Sequence, residues 1–115
     1  MTVRACRESD GTTVINPLHV ARRAADRMRG LLGRDSLDER EGLWLRRCRL
    51  IHTIGMRFPI DLVYLTDQRE VCKVVERLPP WRISACLGAD SVIELKGGAA
   101  RRLGLGPGTR LSILP

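Results

Sequence analysis

The sequence predicts a β-rich α+β domain: a small, partly closed barrel of about six or seven short strands with one main helix packed on it. Two observations support this prediction. Short segments rich in aliphatic and β-branched residues are separated by Gly, Pro, Asn and Asp, whereas one stretch, Ala21 to Leu32, carries apolar residues at helical spacing. Strands this short and numerous tend to roll into a barrel because closure of the sheet removes its edges.

The first element, Thr2 to Arg7, has an alternating pattern that predicts an edge strand. Ser9 to Gly11 predicts a turn, because Asp and Gly tolerate the positive φ angles of tight hairpins. Thr12 to Ile15 is the expected returning strand, and Asn16-Pro17 should end it. Leu18 to Val20 is then a short extended piece or the lead-in to the helix.

The predicted helix spans Ala21 to Leu32 and has a single apolar stripe, with arginines and Asp26 at most of the other positions. The stripe consists of Ala24, Met28, Leu31 and Leu32. Gly33 follows as a suitable left-handed terminator. We expect this helix to cover one open side of the barrel.

The rest of the chain supplies the remaining strands and one helical turn. Ile60 to Thr66 predicts a strong strand, and Glu70 to Leu78 is its expected hairpin partner, with Val71, Lys73, Val75 and Arg77 on one face. Pro79-Pro80-Trp81 predicts a rigid elbow, followed by an irregular segment from Arg82 to Ala89. The other expected elements are a strand starting at Gly42, strands over Ser91 to Leu95 and Thr109 to Leu114, and a helical turn over Ala99 to Leu103.

Length and composition limit the class of protein. With 115 residues and 43% hydrophobic content, the chain is expected to form one domain, residues 1–115. No apolar run is long enough for a transmembrane helix, and the charged N-terminus lacks the apolar segment of a secretory signal, so we expect a cytoplasmic protein. The four cysteines form no CxxC pair and are expected to be reduced thiols, and no cofactor is predicted.

The charge of the chain favours an anionic partner. Its net charge is +7 and its pI is about 10.2, which points to an acidic protein, a phosphate-bearing ligand or a nucleic acid. Only 3% of the residues are aromatic, so the rings on which bases would stack are largely missing. A nucleic-acid-binding barrel is therefore an alternative rather than the main hypothesis.

The segment from Cys48 to Leu65 is the expected centre of the core and of any site. Cys48 and His52 are four residues apart and share a face on either a helix or a strand. They could bind a soft metal, with Met56 adding a thioether. They could also form a Cys–His nucleophile pair oriented by Asp61. The spacing does not decide between these alternatives and a purely structural role.

Asp61 is the most informative single residue, because it is a lone acid inside an apolar run. A buried carboxylate must be paired or hydrogen-bonded, since an isolated buried charge is prohibitively costly. We therefore expect Asp61 to accept backbone N–H groups from the segment Ile51 to Arg57, or to pair with an arginine. In either case it would act as a clamp that shapes the chain around it.

An ordered set of motifs resembles a bacterial and archaeal family catalogued as domain of unknown function one hundred and ninety-two. The motifs are Arg27 to Arg34, Glu41 to Trp44, His52 to Met56, Pro59 to Tyr64, Val92 to Gly98 and Leu103 to Gly108. The resemblance covers most of the chain from about Asn16 onward. It implies a compact β-rich domain with one helix, and no established activity. It also implies that the Arg29–Gly30 turn, Met56, Asp61 and the Glu94–Gly98 corner lie close together.

Together these observations predict a non-catalytic binding or accessory module for an anionic ligand or a protein partner, with no membrane role. The predicted binding residues are Arg29, His52, Met56, Arg57, Asp61 and Glu94. The alternatives are a small enzyme or metal-binding protein using Cys48, His52 and Asp61, and the nucleic-acid-binding barrel.

Overall fold

The computed structural model of the chain describes residues 1–21 and 36–115. These residues form nine strands and one short helix: β1 (Thr2–Arg7), β2 (Thr13–Ala21), β3 (Gly42–Arg46), β4 (Leu50–His52), β5 (Ile60–Leu65), β6 (Val71–Leu78), β7 (Ile83–Ala85), β8 (Ser91–Lys96), α1 (Ala99–Arg102) and β9 (Leu111–Leu114). The predicted main helix, Ala21 to Leu32, falls outside the described residues except for Ala21, which is the last residue of β2.

Seven strands form one sheet in the order β6-β5-β8-β3-β2-β1-β9, and β4 pairs with β7 in a separate two-stranded sheet. The strand pairs of the large sheet are antiparallel except for β2 and β3. The two outer strands approach each other, because Glu70 and Arg110 form a bridge and the Val71 N–H donates to the Thr109 carbonyl. The sheet therefore curls into a half-barrel, which confirms the predicted fold class.

Hydrophobic residues pack on both faces of this sheet. Every residue of β5 is buried, and its side chains alternate between two clusters, with Val63 and Leu65 in one and Leu62 and Tyr64 in the other. Each fully buried aliphatic side chain contributes roughly 1.5–3 kcal/mol relative to an exposed one. A central strand buried on both sides explains why the segment Ile60 to Leu65 is apolar almost throughout, and why Asp61 stands out within it.

Two β-bulges in β6 change which of its side chains share a face, so the face predicted from simple alternation was wrong. Tyr64 pairs with Lys73 and Leu65 with Val71, so Cys72 is an extra residue between them. A second irregularity lies opposite Asp61, where Arg77 has a positive φ of 51°. Val71 therefore does not share a face with Lys73, because an extra residue shifts the alternation of a strand.

Two predictions for the N-terminal strands were wrong. Asn16-Pro17 does not end β2, because these two residues bulge opposite Arg4 and pairing resumes at Leu18. β1 is not an edge strand, because β9 from the other end of the chain pairs with it. The predicted helical turn at Ala99 and the predicted strands around β3, β5, β6, β8 and β9 are confirmed within one to two residues at most of their ends.

Candidate protein-interaction face

Asp61 is fully buried and binds three backbone N–H groups. Its Oδ1 accepts from Arg77 at 2.8 Å and from Gly98 at 2.9 Å, and its Oδ2 accepts from Ala100 at 2.8 Å. The carboxylate thus joins the bulge of β6 to the first residues of α1. Among the described donors none belongs to the expected segment Ile51–Arg57, so the role of Asp61 as a backbone acceptor was predicted but its donors were not.

The corner beside Asp61 contains a cavity of about 340 Å³ lined by arginines and Glu76. Arg101 donates two hydrogen bonds to Glu76, at 3.1 and 3.2 Å, and Arg102 donates two to Glu39, each at 2.7 Å. The guanidinium groups of Arg101 and Arg102 are thus paired with carboxylates, and the third arginine of the cavity is Arg77.

Thr53 joins the loop after β4 to the Pro79–Arg82 elbow. Its side chain is fully buried, and its Oγ1 donates to the Pro79 carbonyl at 2.7 Å and accepts from the Arg82 N–H at 2.9 Å. Its own N–H donates to the Arg82 carbonyl at 2.9 Å, and its carbonyl accepts from the Trp81 N–H at 3.0 Å. These four bonds hold Pro79, Trp81 and Arg82 of the elbow in place.

Trp81 sits in this elbow with a φ of 65°. A bulky side chain rarely adopts this left-handed region, which costs roughly 1–3 kcal/mol and persists only where surrounding contacts impose it. Here the contacts of Thr53 impose it, and 65% of the Trp81 side chain remains exposed to solvent. The strained backbone at Trp81 therefore lowers the stability of the fold, and the indole stays on the surface.

The small β4–β7 sheet carries one buried and one exposed face. On the inner face Ile51 is buried, and Ser84 accepts a hydrogen bond from the Tyr64 hydroxyl at 3.0 Å. Because side chains alternate along a strand, Leu50 and the register pair His52–Ile83 lie on the opposite face.

Five exposed apolar residues surround this outer face, and we call them the apolar face. They are Leu50, Ile54, Trp81, Ile83 and Leu87, with exposed fractions of 57%, 46%, 65%, 68% and 83%. The bonds of Thr53 bring the segment carrying Ile54 against the one carrying Trp81. Scattered apolar side chains on a surface need no explanation, whereas a contiguous group is typical of an interaction site.

The segments that carry the apolar face are basic. Segments 46–60 and 77–89, which supply the five apolar residues, contain six arginines and no acidic residue, and the exposed Asp90 follows directly after the second segment. Arg47, Arg49 and Arg82 are exposed there. An apolar centre with a basic border is complementary to a surface that combines apolar and acidic side chains.

Five of the six predicted binding residues lie in the described part of the chain. His52 lies half-buried on β4 and Arg57 is exposed in the following loop, whereas Met56 is buried in a core cluster. Glu94 is fully buried on β8, opposite Leu43 and Leu62. Arg29 lies outside the described residues.

The alternative site at Cys48 and His52 stays a hypothesis. The Cys48 thiol donates to the Leu50 carbonyl at 3.2 Å. In residues 1–21 and 36–115, no three His, Cys, Asp or Glu side chains are grouped in a way that could hold a metal ion. No helix within those residues is long and apolar enough to cross a membrane.

Sequence reasoning missed the apolar face. It treated Pro79-Pro80-Trp81 only as an elbow and Arg82 to Ala89 as irregular, although β7 runs through Ile83–Ala85. The available signal was a run of apolar residues and arginines without any acid on both sides of Trp81. Such a pattern is a stronger indication of a surface that prefers an acidic partner than of a β-strand.

Comparisons with known proteins identify a family and two structural neighbours. The family described as “Uncharacterized ACR”, DUF192, matches residues 5–113, which confirms the resemblance seen in the motifs. No curated protein matches the chain.

The two neighbours share the fold over nearly the whole chain. One is a protein of unknown function from Novosphingobium aromaticivorans, with 24% identity, a TM-score of 0.81, and coverage of 97% of this chain and 84% of that chain. The other is a “putative transcription regulator” from Sinorhizobium meliloti, with 24% identity, a TM-score of 0.82, and coverage of 97% and 92%. At this identity the likeness shows the fold alone.

Proposed function

We propose that this chain, which belongs to the DUF192 family of uncharacterised proteins, is a non-catalytic binding module whose apolar face docks an acidic segment of a partner protein. The observation that carries the proposal is Trp81, held at a φ of 65° by the buried Thr53 and left 65% exposed. Strain retained at an exposed aromatic residue is typical of a functional position.

The composition of the apolar face suits protein recognition. Tryptophan is among the residues that carry most binding energy at interfaces, especially when apolar neighbours exclude water around it. Leu50 and Ile83 flank His52 on the same outer surface of the small sheet, and β4 and β7 give them a rigid support. A partner that buries Trp81 together with these neighbours would therefore gain affinity without a large ordering cost.

The charge of the surrounding segments selects the kind of partner. Exposed arginines of these segments, including Arg47, Arg49 and Arg82, would repel a basic surface and attract an acidic one. Attraction of this kind accelerates association and weakens as salt increases. The proposed partner segment thus combines aromatic or aliphatic side chains with Asp and Glu.

A peptide-display selection against the immobilised protein tests the proposal. We expect enriched peptides to combine acidic with apolar residues, and their Kd to rise with salt. Trp81→Ala and Ile83→Ser should each weaken the best peptide by about tenfold or more, as expected for central interface residues. Leu114→Ser is the matched control, because Leu114 is also an exposed apolar residue, at 38%, but lies on β9.

A second variant separates binding from folding. Trp81→Gly removes the indole and also relieves the left-handed backbone, which costs a bulky residue about 1–2 kcal/mol. That gain offsets the roughly 0.5–1 kcal/mol that glycine costs through chain flexibility. We therefore expect Trp81→Gly to bind no peptide while its thermal unfolding stays at or above that of the wild type.

Other outcomes would refute a protein partner. Selection without enrichment of acidic sequences, or an unchanged affinity of Trp81→Ala, would contradict the proposal. One neighbour is described as a transcription regulator, and the net charge is +7. Binding to oligonucleotides, or to vesicles of anionic phospholipid, that depends on Trp81 while no peptide binds would assign the apolar face to that ligand instead.

A further inference from the structure

Two cysteines from different parts of the chain meet beside the small sheet. The sulfur atoms of Cys72 and Cys86 are 3.9 Å apart, and both are free thiols. Cys72 is exposed and Cys86 is half-buried. Cys72 lies on β6 at the edge of the large sheet, whereas Cys86 directly follows β7 of the small one.

The backbone around each cysteine holds the two sulfurs together. Cys72 is the extra residue of the first β6 bulge, and a bulge re-aims the side chain that it carries. The Cys86 N–H donates to the Arg49 carbonyl at 2.9 Å, which anchors the end of β7. Lys73 Nζ donates to the Ala85 carbonyl at 2.9 Å, so the residues next to the two cysteines are also joined.

We propose that Cys72 and Cys86 are a modification site for low-molecular-weight disulfides, which convert the pair into an intramolecular disulfide linking β6 to β7. The Cys72 thiolate attacks one sulfur of the reagent, forms a mixed disulfide and releases one thiol. The Cys86 thiolate then attacks the Cys72 sulfur and displaces the second thiol. The protein loses two protons and two electrons, and one reagent disulfide takes them up and is reduced to two thiols.

The exposure of Cys72 and the short distance between the two sulfurs allow this reaction. Desolvation, and then the neighbouring Cys86 sulfur, raise the pKa of Cys72, so its attacking thiolate is scarce near neutral pH and the exchange should become faster as the pH rises. The exposure of Cys72 still admits a small disulfide. A disulfide needs its sulfurs at about 2 Å, and a pair already in contact reaches this distance with a small movement.

The bond would add a covalent link to a segment that hydrogen bonds of Thr53, Ser84 and Cys86 already hold. Residues 73–85 between the two cysteines include the Pro79–Arg82 elbow and all of β7. β7 has only three residues and pairs only with β4 among the described strands. A disulfide between Cys72 and Cys86 closes this loop covalently, so local unfolding that moves the small sheet away from β6 becomes rarer. The inference stands on the thiol geometry and does not depend on the proposed partner.

Incubation of the reduced protein with oxidised glutathione tests the inference. Trypsin cleaves after Arg69, Lys73, Arg82 and Lys96, so Cys72 falls in peptide 70–73 and Cys86 in peptide 83–96. We expect the intact mass to fall by two hydrogens and these two peptides to be recovered as one linked species. Amide exchange at Cys86 should slow by about tenfold in the oxidised protein.

Cysteine variants identify the pair. Cys72→Ser and Cys86→Ser should each form no intramolecular disulfide, and the remaining thiol should carry one glutathione. Cys48→Ser should behave as the wild type, because the Cys48 thiol donates to Leu50. A wild type that accumulates only glutathione adducts, a linkage through Cys48, or unchanged amide exchange after oxidation would overturn the inference.

Discussion

Replacement of Asp61 measures how much of the fold depends on one buried carboxylate. Asp61→Ala leaves the N–H groups of Arg77, Gly98 and Ala100 without their acceptor. The last two bonds are buried, and an orphaned buried donor costs about 1–3 kcal/mol. The Arg77 bond is only partly buried, so water can replace it. We therefore expect a loss of about 2–6 kcal/mol.

Asp61→Asn gives a graded comparison at nearly constant shape. The amide oxygen can keep the bonds that Oδ1 accepts from Arg77 and Gly98. The amide nitrogen then faces the Ala100 N–H as a second donor, so one charge-assisted bond is lost and replaced by repulsion. A bond to a charged group is worth about 1.5–3 kcal/mol, and the expected loss is of that size.

Urea unfolding followed by circular dichroism provides the assay. Asp90→Asn is the matched control, because Asp90 is an exposed acid and its change should stay within about 0.5 kcal/mol. Amide exchange at Ala100 should accelerate in Asp61→Asn before global stability is lost. If Asp61→Ala unfolds at the same urea concentration as Asp90→Asn, the carboxylate is not the clamp that its three bonds indicate.

Three further predictions address the elbow, the single tyrosine of the sequence and the buried Gly42 of β3. Thr53→Val removes the Oγ1 bonds to Pro79 and Arg82, and should lower the free energy of unfolding by about 1–3 kcal/mol in urea titrations. The pKa of Tyr64 is raised above 10.0, chiefly by burial, so its phenol should ionise later than a free tyrosine in an ultraviolet titration. Because the folded-state pKa is the higher one, this contribution to stability is present below pH 10.0 and is lost as the pH rises through the folded-state value. Gly42→Ala would place a Cβ 2.9 Å from Ile15 Cγ2, and should lower the thermal midpoint through a cost of about 1–3 kcal/mol.

Each of these predictions has a control and a contradicting result. Thr2→Val alters an exposed threonine of β1 and should be neutral, so equal effects of the two valine variants would contradict the role of Thr53. For the tyrosine, the same titration in urea supplies the unfolded value, and coincident curves would contradict burial as the cause. Gly88→Ala is the control for Gly42, because its added Cβ would meet no atom within 4 Å.

Local sequence patterns predicted the elements whose side chains repeat regularly. β5 and β8 combine a clear alternation or apolar run with flanking turn residues, and α1 follows a pair of glycines. β4 and β7 have only three residues each, which is too short for any period to appear. Their pairing depends on contacts between distant segments, and a local pattern does not contain that information.

The site was harder to predict because its geometry comes from irregular backbone. Burial required that Asp61 have partners, but those partners lie 16 to 39 residues further along the chain, in a bulge and at a helix start. The positive φ of Trp81 runs against the preference of a bulky side chain, so propensity alone would place that residue elsewhere. Its conformation follows from Thr53, whose hydroxyl binds both ends of the Pro79–Arg82 elbow.

The shape of β6 also bears on how the protein behaves at high concentration. A straight strand at the border of a sheet invites the same strand of another molecule to add to it. Here one end of β6 is bound by residues 108–111, Cys72 interrupts the pairing pattern next to it, and the Arg77 N–H is consumed by Asp61. Only the span 73–76 is left as a regular border, and it carries Lys73 and Glu76. Addition of another molecule's strand to β6, a step from which fibrils can grow, should therefore be disfavoured.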